Sequence, residues 1–168
     1  MKGMLKGVAA LALASALFTT SAEAQGARFG VAADGLFSLE EGGGSEFGAA
    51  VMGEFGGGAD SPIGFRVDVA YIFDPEILIF RGNVIYTFMT SAESKFHPYL
   101  LGTGGYLTNT DFEGGDFVAG AGAGFNIMMT NSSITPFVEA AFLNQFADGT
   151  SVQMVDARLG VKIGTGGN

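Results

Sequence analysis

The residues of this chain best suited to chemistry are charged side chains that recur at every second position of several segments. We predict that eight of them face one confined space and form an ion-pair network: Glu54, Arg66, Asp68, Arg81, Glu139, Asp156, Arg158 and Lys162. Unpaired charges are costly in a low dielectric, so charges in such a space should pair. Two interpretations stay open. The network only fills the space, or it gates an ion pathway that opens when the pairs exchange partners.

Other arrangements that could support catalysis or cofactor binding are weak. The run from Gly120 to Gly124 superficially resembles a phosphate-binding loop, but no Lys-Ser/Thr pair follows it. His97 is the single histidine, and the serines lack a His/Asp arrangement, so a nucleophilic triad is unsupported. Because the chain has no cysteine, it has no thiolate metal site. We therefore predict no enzymatic activity, no cofactor and no metal centre.

Length and composition limit the classes of protein that can hold these residues. The chain has 168 residues, of which 48% are hydrophobic and only 15% charged, with 28 Gly and 16 Phe. That length allows a single domain, and the apolar content argues against disorder. The net charge of −9 argues against nucleic acid as a partner.

The N-terminal residues have the three parts of a secretory signal peptide. Lys2 and Lys6 provide the positive start, Val8–Phe18 is apolar, and Ala22 and Ala24 supply the small residues of a cleavage site. We expect residues 1–24 to be removed, which leaves a domain at 25–168 that works outside the cytoplasm.

The rest of the sequence alternates between apolar and polar residues, which is typical of β-strands. The clearest case is Ile63–Phe73, where the alternation continues over the whole segment. Eight strands are predicted in all: Arg28–Leu36, Glu46–Phe55, Ile63–Phe73, Leu78–Phe88, His97–Leu107, Asp116–Met129, Ile134–Phe146 and Val155–Ile163. The segments between them are too short for crossover helices, so the strands should form antiparallel hairpins. An all-β meander of this size can close into a barrel that has no free edge.

Residue size indicates which face of the barrel is outside. The residues that share a strand face with the charged side chains are small, and we place them on the inner wall. They are Gly30, Ala32, Gly48, Ala50, Gly64, Ala70, Gly102, Gly104, Gly120, Gly122 and Gly124. Small residues beside charges suit the narrow interior of an eight-stranded barrel, whereas glycine gains nothing on a solvated strand surface. The opposite parity is bulky and carries aromatic residues near the strand ends, which suits contact with lipid.

Two segments resemble a known family. His97–Tyr106 is similar to the Pro-Tyr-x-x-x-Gly-x-Gly-Tyr strand of the OmpA-like transmembrane family, and Phe117–Phe125 is similar to the Gly-rich strand that follows it there. The resemblance implies an outer-membrane barrel of the Gram-negative type and does not point to one activity. After export by the signal peptide, it also implies contact with periplasmic chaperones and the barrel-assembly machinery.

We therefore predict an eight-stranded antiparallel up-and-down transmembrane β-barrel in the outer membrane, with a structural or surface-interaction role. Its partners would be outer-membrane lipid and lipopolysaccharide. One alternative is a narrow channel for ions or small solutes, and the other is a secreted soluble lipocalin-like barrel that binds a ligand.

One group of carboxylates lies in predicted loops on the outer side of the membrane: Glu40, Glu41, Asp111, Glu113, Asp116 and Asp148. These carboxylates either hold Ca²⁺ or Mg²⁺ that bridges lipopolysaccharide phosphates, or are solvated surface charge.

Overall fold

The structure is a computed structural model that describes residues 27–57, 61–91, 94–129, 132–147 and 149–164. The expected signal peptide at residues 1–24 lies outside these ranges. The strands are β1 (Arg28–Ser38), β2 (Ser45–Gly56), β3 (Ile63–Ile72), β4 (Ile77–Thr87), β5 (Phe96–Asn109), β6 (Gly115–Ile127), β7 (Ile134–Ala147) and β8 (Thr150–Gly164). Over the described ranges, no helix has the length and apolar character needed to cross a membrane.

The eight strands form one closed barrel in sequence order. Each strand pairs antiparallel with the next, and β1 closes the barrel by pairing antiparallel with β8. The predicted fold class, an all-β up-and-down barrel of eight antiparallel strands, is therefore confirmed.

The last strand is longer than the sequence pattern predicted. It begins at Thr150 and not at Val155, because Thr150 already pairs with Ala147 at the end of β7. The tight turn between these two residues contains Gly149, whose φ of 77° lies in the left-handed region that glycine adopts without steric cost.

Burial alternates along the strands in the sense opposite to that of a soluble protein. In β3, Phe65 and Val67 are 60% and 43% exposed, whereas Arg66 and Asp68 between them are only 1% and 2% exposed. The charged parity thus faces the barrel interior and the bulky apolar parity faces outward. This arrangement leaves a wide band of exposed Phe, Val, Ile and Leu side chains around the barrel wall.

Two of the glycines predicted to line the interior instead face outward. In β5 the buried residues are Tyr99, Leu101 and Thr103, so Gly102 and Gly104 point away from the interior and are exposed. The prediction was wrong because this strand carries no charged residue whose parity could identify its inner face.

The interior has an apolar layer next to a charged layer, and the charged layer consists of Asp34, Asp68, Arg81, Asp156 and Arg158. Leu36, Ile79 and Met154 are buried, and each is two positions from a charged residue on its own strand, toward the end of the barrel that holds the β1–β2 and β7–β8 turns. With Ile72, Val118 and Leu143, which are also buried, they form what we call the apolar layer. The charged residues therefore lie beneath an apolar layer as seen from that end.

Candidate functional site

Arg81 is the centre of the charged layer. Its guanidinium group, on β4, contacts carboxylates from three other strands: Nε donates to Asp68 Oδ1 at 2.7 Å, Nη1 to Asp156 Oδ2 at 2.6 Å, and Nη2 to Asp34 Oδ2 at 2.8 Å. All four side chains are buried. A planar guanidinium with several fixed donors is suited to such a site, because lysine would offer only a point charge.

Arg158 forms the second bridge of this layer. Its nitrogens lie 3.2 Å from both Asp34 Oδ2 and Asp68 Oδ1, and 3.1 Å from Asp156 Oδ2. Arg158 Nη1 is also 3.4 Å from Glu139 Oε1. Three aspartates therefore share two arginines, and Glu139 connects this group to the next part of the interior.

Glu139 binds two further groups. Arg66 Nη2 and the Tyr99 hydroxyl both donate to Glu139 Oε2, each at 2.7 Å. Close by, Asn83 Nδ2 donates to Asp68 Oδ2 at 2.8 Å. The two bonds to Glu139 link β3 and β5 with β7 across the interior, and the Asn83 bond joins β4 to β3.

Lys162 and Glu54 form a separate pair closer to the other end of the barrel. Lys162 Nζ lies 2.8 Å from Glu54 Oε2, and Arg28 Nη1 lies 3.3 Å from Glu54 Oε1. The ammonium group is also 5.3 Å and 5.0 Å from the ring centroids of Tyr99 and Phe137, within the range of a cation–π contact.

The structure places all eight sequence-predicted site residues inside the barrel, each in at least one ion pair with another charged residue. Four participants in the network are not among the sequence-predicted residues: Arg28, Asp34, Asn83 and Tyr99. Asp34 and Arg28 have the charged parity of β1, so alternation was a signal for both. Tyr99 gave none, because the inner face of β5 was assigned wrongly.

Small residues on the inner wall make room for these side chains. A Cβ atom at Gly124 would lie 2.7 Å from the ring carbon Cζ and from the hydroxyl oxygen of Tyr99. A larger residue at this position would crowd both Tyr99, where it reaches Glu139, and the backbone oxygen of Val138, which would lie 2.6 Å from the Cβ atom.

The chemistry of this arrangement is ionic cross-linking. Within the described residues, no group of histidine and carboxylate side chains is arranged to hold a metal ion. His97 is half-buried at the start of β5, where its Nε2 lies 3.1 Å from the carbonyl oxygen of Ser94.

The loop carboxylates among the described residues lie at the end of the barrel nearer to the apolar layer. Glu40, Glu41, Asp111 and Glu113 are exposed. Asp116, at the start of β6, accepts a hydrogen bond of 2.7 Å from Gln145 Nε2. Asp148 lies outside the described residues.

No protein-family model and no curated protein matches the chain. Eight chains of solved structures do, among them the following two. Neisserial surface protein A has a TM-score of 0.67 at 15% identity, over 83% of this chain and 97% of that one. The N-terminal β-barrel domain of Pseudomonas aeruginosa OprF has a TM-score of 0.52 at 16% identity, over 84% of this chain and 100% of that one. This chain therefore has the fold of the small eight-stranded outer-membrane β-barrels, as its motifs predicted.

Proposed function

We propose that this protein is an integral barrel of the outer membrane, with a structural or surface-interaction role and no enzymatic activity. The observation that carries the proposal is the reversed burial, with charges inside and bulky apolar side chains outside. A band of exposed apolar side chains as wide as this one is a liability in water and a requirement in a bilayer. The fold shared with the two solved barrels supports the same location.

The reversed burial also argues against the alternative of a soluble lipocalin-like barrel. Such a barrel would bury its apolar face around a ligand and expose its charges. Here Val31, Phe47 and Leu159 are exposed on the outer wall, whereas Asp34, Glu54 and Arg158 are buried. In water, this barrel would expose its apolar face to solvent and keep its charged face buried.

We infer that the ion-pair network serves to fill and brace the interior. Each arginine of the charged layer joins strands that are not neighbours in the sheet, such as β4 with β1 and β8. The apolar layer covers this network at one end, which favours a sealed barrel over the alternative of a narrow channel. Outside the barrel, the partners in this proposal are lipid and lipopolysaccharide, after delivery by periplasmic chaperones and the barrel-assembly machinery.

The experiment that tests the proposal is gel mobility in SDS after folding in detergent, with unboiled and boiled samples compared. A closed membrane barrel resists SDS when cold, migrates as a compact band and shifts on boiling. We expect that shift. Identical mobility in both lanes, together with solubility in the absence of detergent, would contradict membrane insertion.

A further inference from the structure

The interior opens into a cavity above the apolar layer, at the end of the barrel that holds the β1–β2, β3–β4, β5–β6 and β7–β8 turns. Its volume is about 290 Å³. Its apolar wall is formed by Leu36, Ile77, Leu107, Val152 and Met154. Ser38, Glu46 and Gln145 supply the polar groups of its rim. The wall residues have the inward parity of their strands, so the cavity belongs to the barrel interior and not to the outer surface.

The charge around this cavity has one sign. Glu46 lines the cavity directly, and Asp116 is held at the rim by Gln145. The turns around it carry further carboxylates: Glu40, Glu41, Asp74, Glu76, Asp111 and Glu113. The arginines and lysines of the described ranges all lie elsewhere, namely Arg28, Arg66, Arg81, Lys95, Arg158 and Lys162.

We propose that this cavity, the mouth cavity, binds a small amphiphilic cation: an ammonium group at Glu46 with a short hydrocarbon tail against Val152, Leu107 and Met154. The two halves of the site select the two halves of the ligand. The apolar wall takes up the tail by the hydrophobic effect, and the carboxylates attract the positive group and repel an anion of the same shape. The proposal does not depend on membrane insertion, since the cavity is a property of the barrel interior.

The test is a titration of the detergent-folded protein with n-hexylammonium, followed by NMR of protein labelled with ¹³C at the methionine methyl groups. We expect a saturable shift of the Met154 signal. Met52 is buried beneath Arg66, with its sulfur 3.9 Å from Arg66 Nη1, and its signal should not move. Hexanoate and hexan-1-ol, titrated in parallel with protein-free micelles as a blank, separate the contribution of charge from that of the tail.

Two variants and one matched control locate the site. Glu46→Gln keeps the shape of the rim and should weaken n-hexylammonium binding by about fivefold, the upper range for a partly exposed ion pair. Glu76→Gln removes a carboxylate from the same end of the barrel but outside the cavity wall, and should leave the affinity unchanged. Val152→Phe should fill the cavity and abolish the Met154 shift; the unboiled gel band shows whether this variant folds, and Glu46→Gln provides the test if it does not.

Several results would overturn the proposal. An unmoved Met154 signal would show that nothing binds in the mouth cavity. Equal shifts with hexan-1-ol and n-hexylammonium would remove the role assigned to charge. Equal weakening by Glu46→Gln and Glu76→Gln would show a diffuse field around the turns and no defined site.

Discussion

At the scale of single residues, we expect the removal of one member of the charged layer to destabilise the barrel. Arg81 contacts Asp34, Asp68 and Asp156, so its loss leaves buried carboxylates that Arg158 alone must compensate. Removing one partner of a buried ion pair destabilises a protein more than replacing both partners by apolar residues, because the remaining charge stays desolvated.

We expect Arg81→Met to lower the free energy of unfolding by about 3–5 kcal/mol, the usual cost of removing one partner of a buried pair. Lys95→Met is the control, since Lys95 is exposed in the β4–β5 turn and its removal should cost little. Urea titration, read as the loss of the compact unboiled gel band, measures both. Equal stability of the two variants would mean that the network contributes nothing to the folded barrel.

A second residue-scale prediction concerns glycine on the two faces of the wall. Gly124→Ala places a methyl group against the Tyr99 ring and should cost about 1–3 kcal/mol, as overpacking usually does. Gly102→Ala adds the same group on the outer face, where nothing lies within 4 Å of the new atom. We expect that control to be neutral or slightly stabilising in the same urea titration. A larger loss at Gly102 than at Gly124 would contradict the assignment of faces in β5 and β6.

At the scale of the strand, alternation predicted every strand and most of the inner face. It worked best where a charge marked one parity, as Arg66 and Asp68 do in β3. It failed in β5, where the interior is filled by Tyr99, Leu101 and Thr103 and the glycines point outward. The apolar layer was also missed, because Leu36 and Ile79 share the parity of charged neighbours on their strands. The particular ion pairs depend on how strands meet across the interior, and no local pattern contains that information.

The outward face of a strand gives a prediction that separates a lipid environment from water. Val67 lies in the middle of β3 and faces outward. If this face contacts lipid, Val67→Lys should destabilise the protein in phospholipid vesicles by about 2–4 kcal/mol. Ser133→Lys, at an exposed position just before β7, should have little effect. Urea titration measures the stability of both variants in vesicles. Equal stability of Val67→Lys and Ser133→Lys would contradict the membrane proposal.

At the scale of the whole molecule, the question is whether the interior conducts. The apolar layer and the paired charges beneath it both oppose a continuous aqueous path. We expect the protein to show no conductance steps in planar lipid bilayers. Steps in the unmodified protein that disappear in Arg81→Ala would instead assign the network to a gated pathway and would contradict the scaffold role.

The pairing of β1 with β8 has a consequence for how the molecule comes to exist. This seam joins Arg28 to Gly164, so the contact that abolishes both free edges is also the one most distant in sequence. Contacts of this kind form slowly, because a long loop must close before they yield any stabilisation. Until this seam closes, an otherwise complete sheet exposes unpaired backbone groups on β1 and β8, which invite pairing with other chains. The period of greatest risk of aggregation is therefore late in assembly, just before closure.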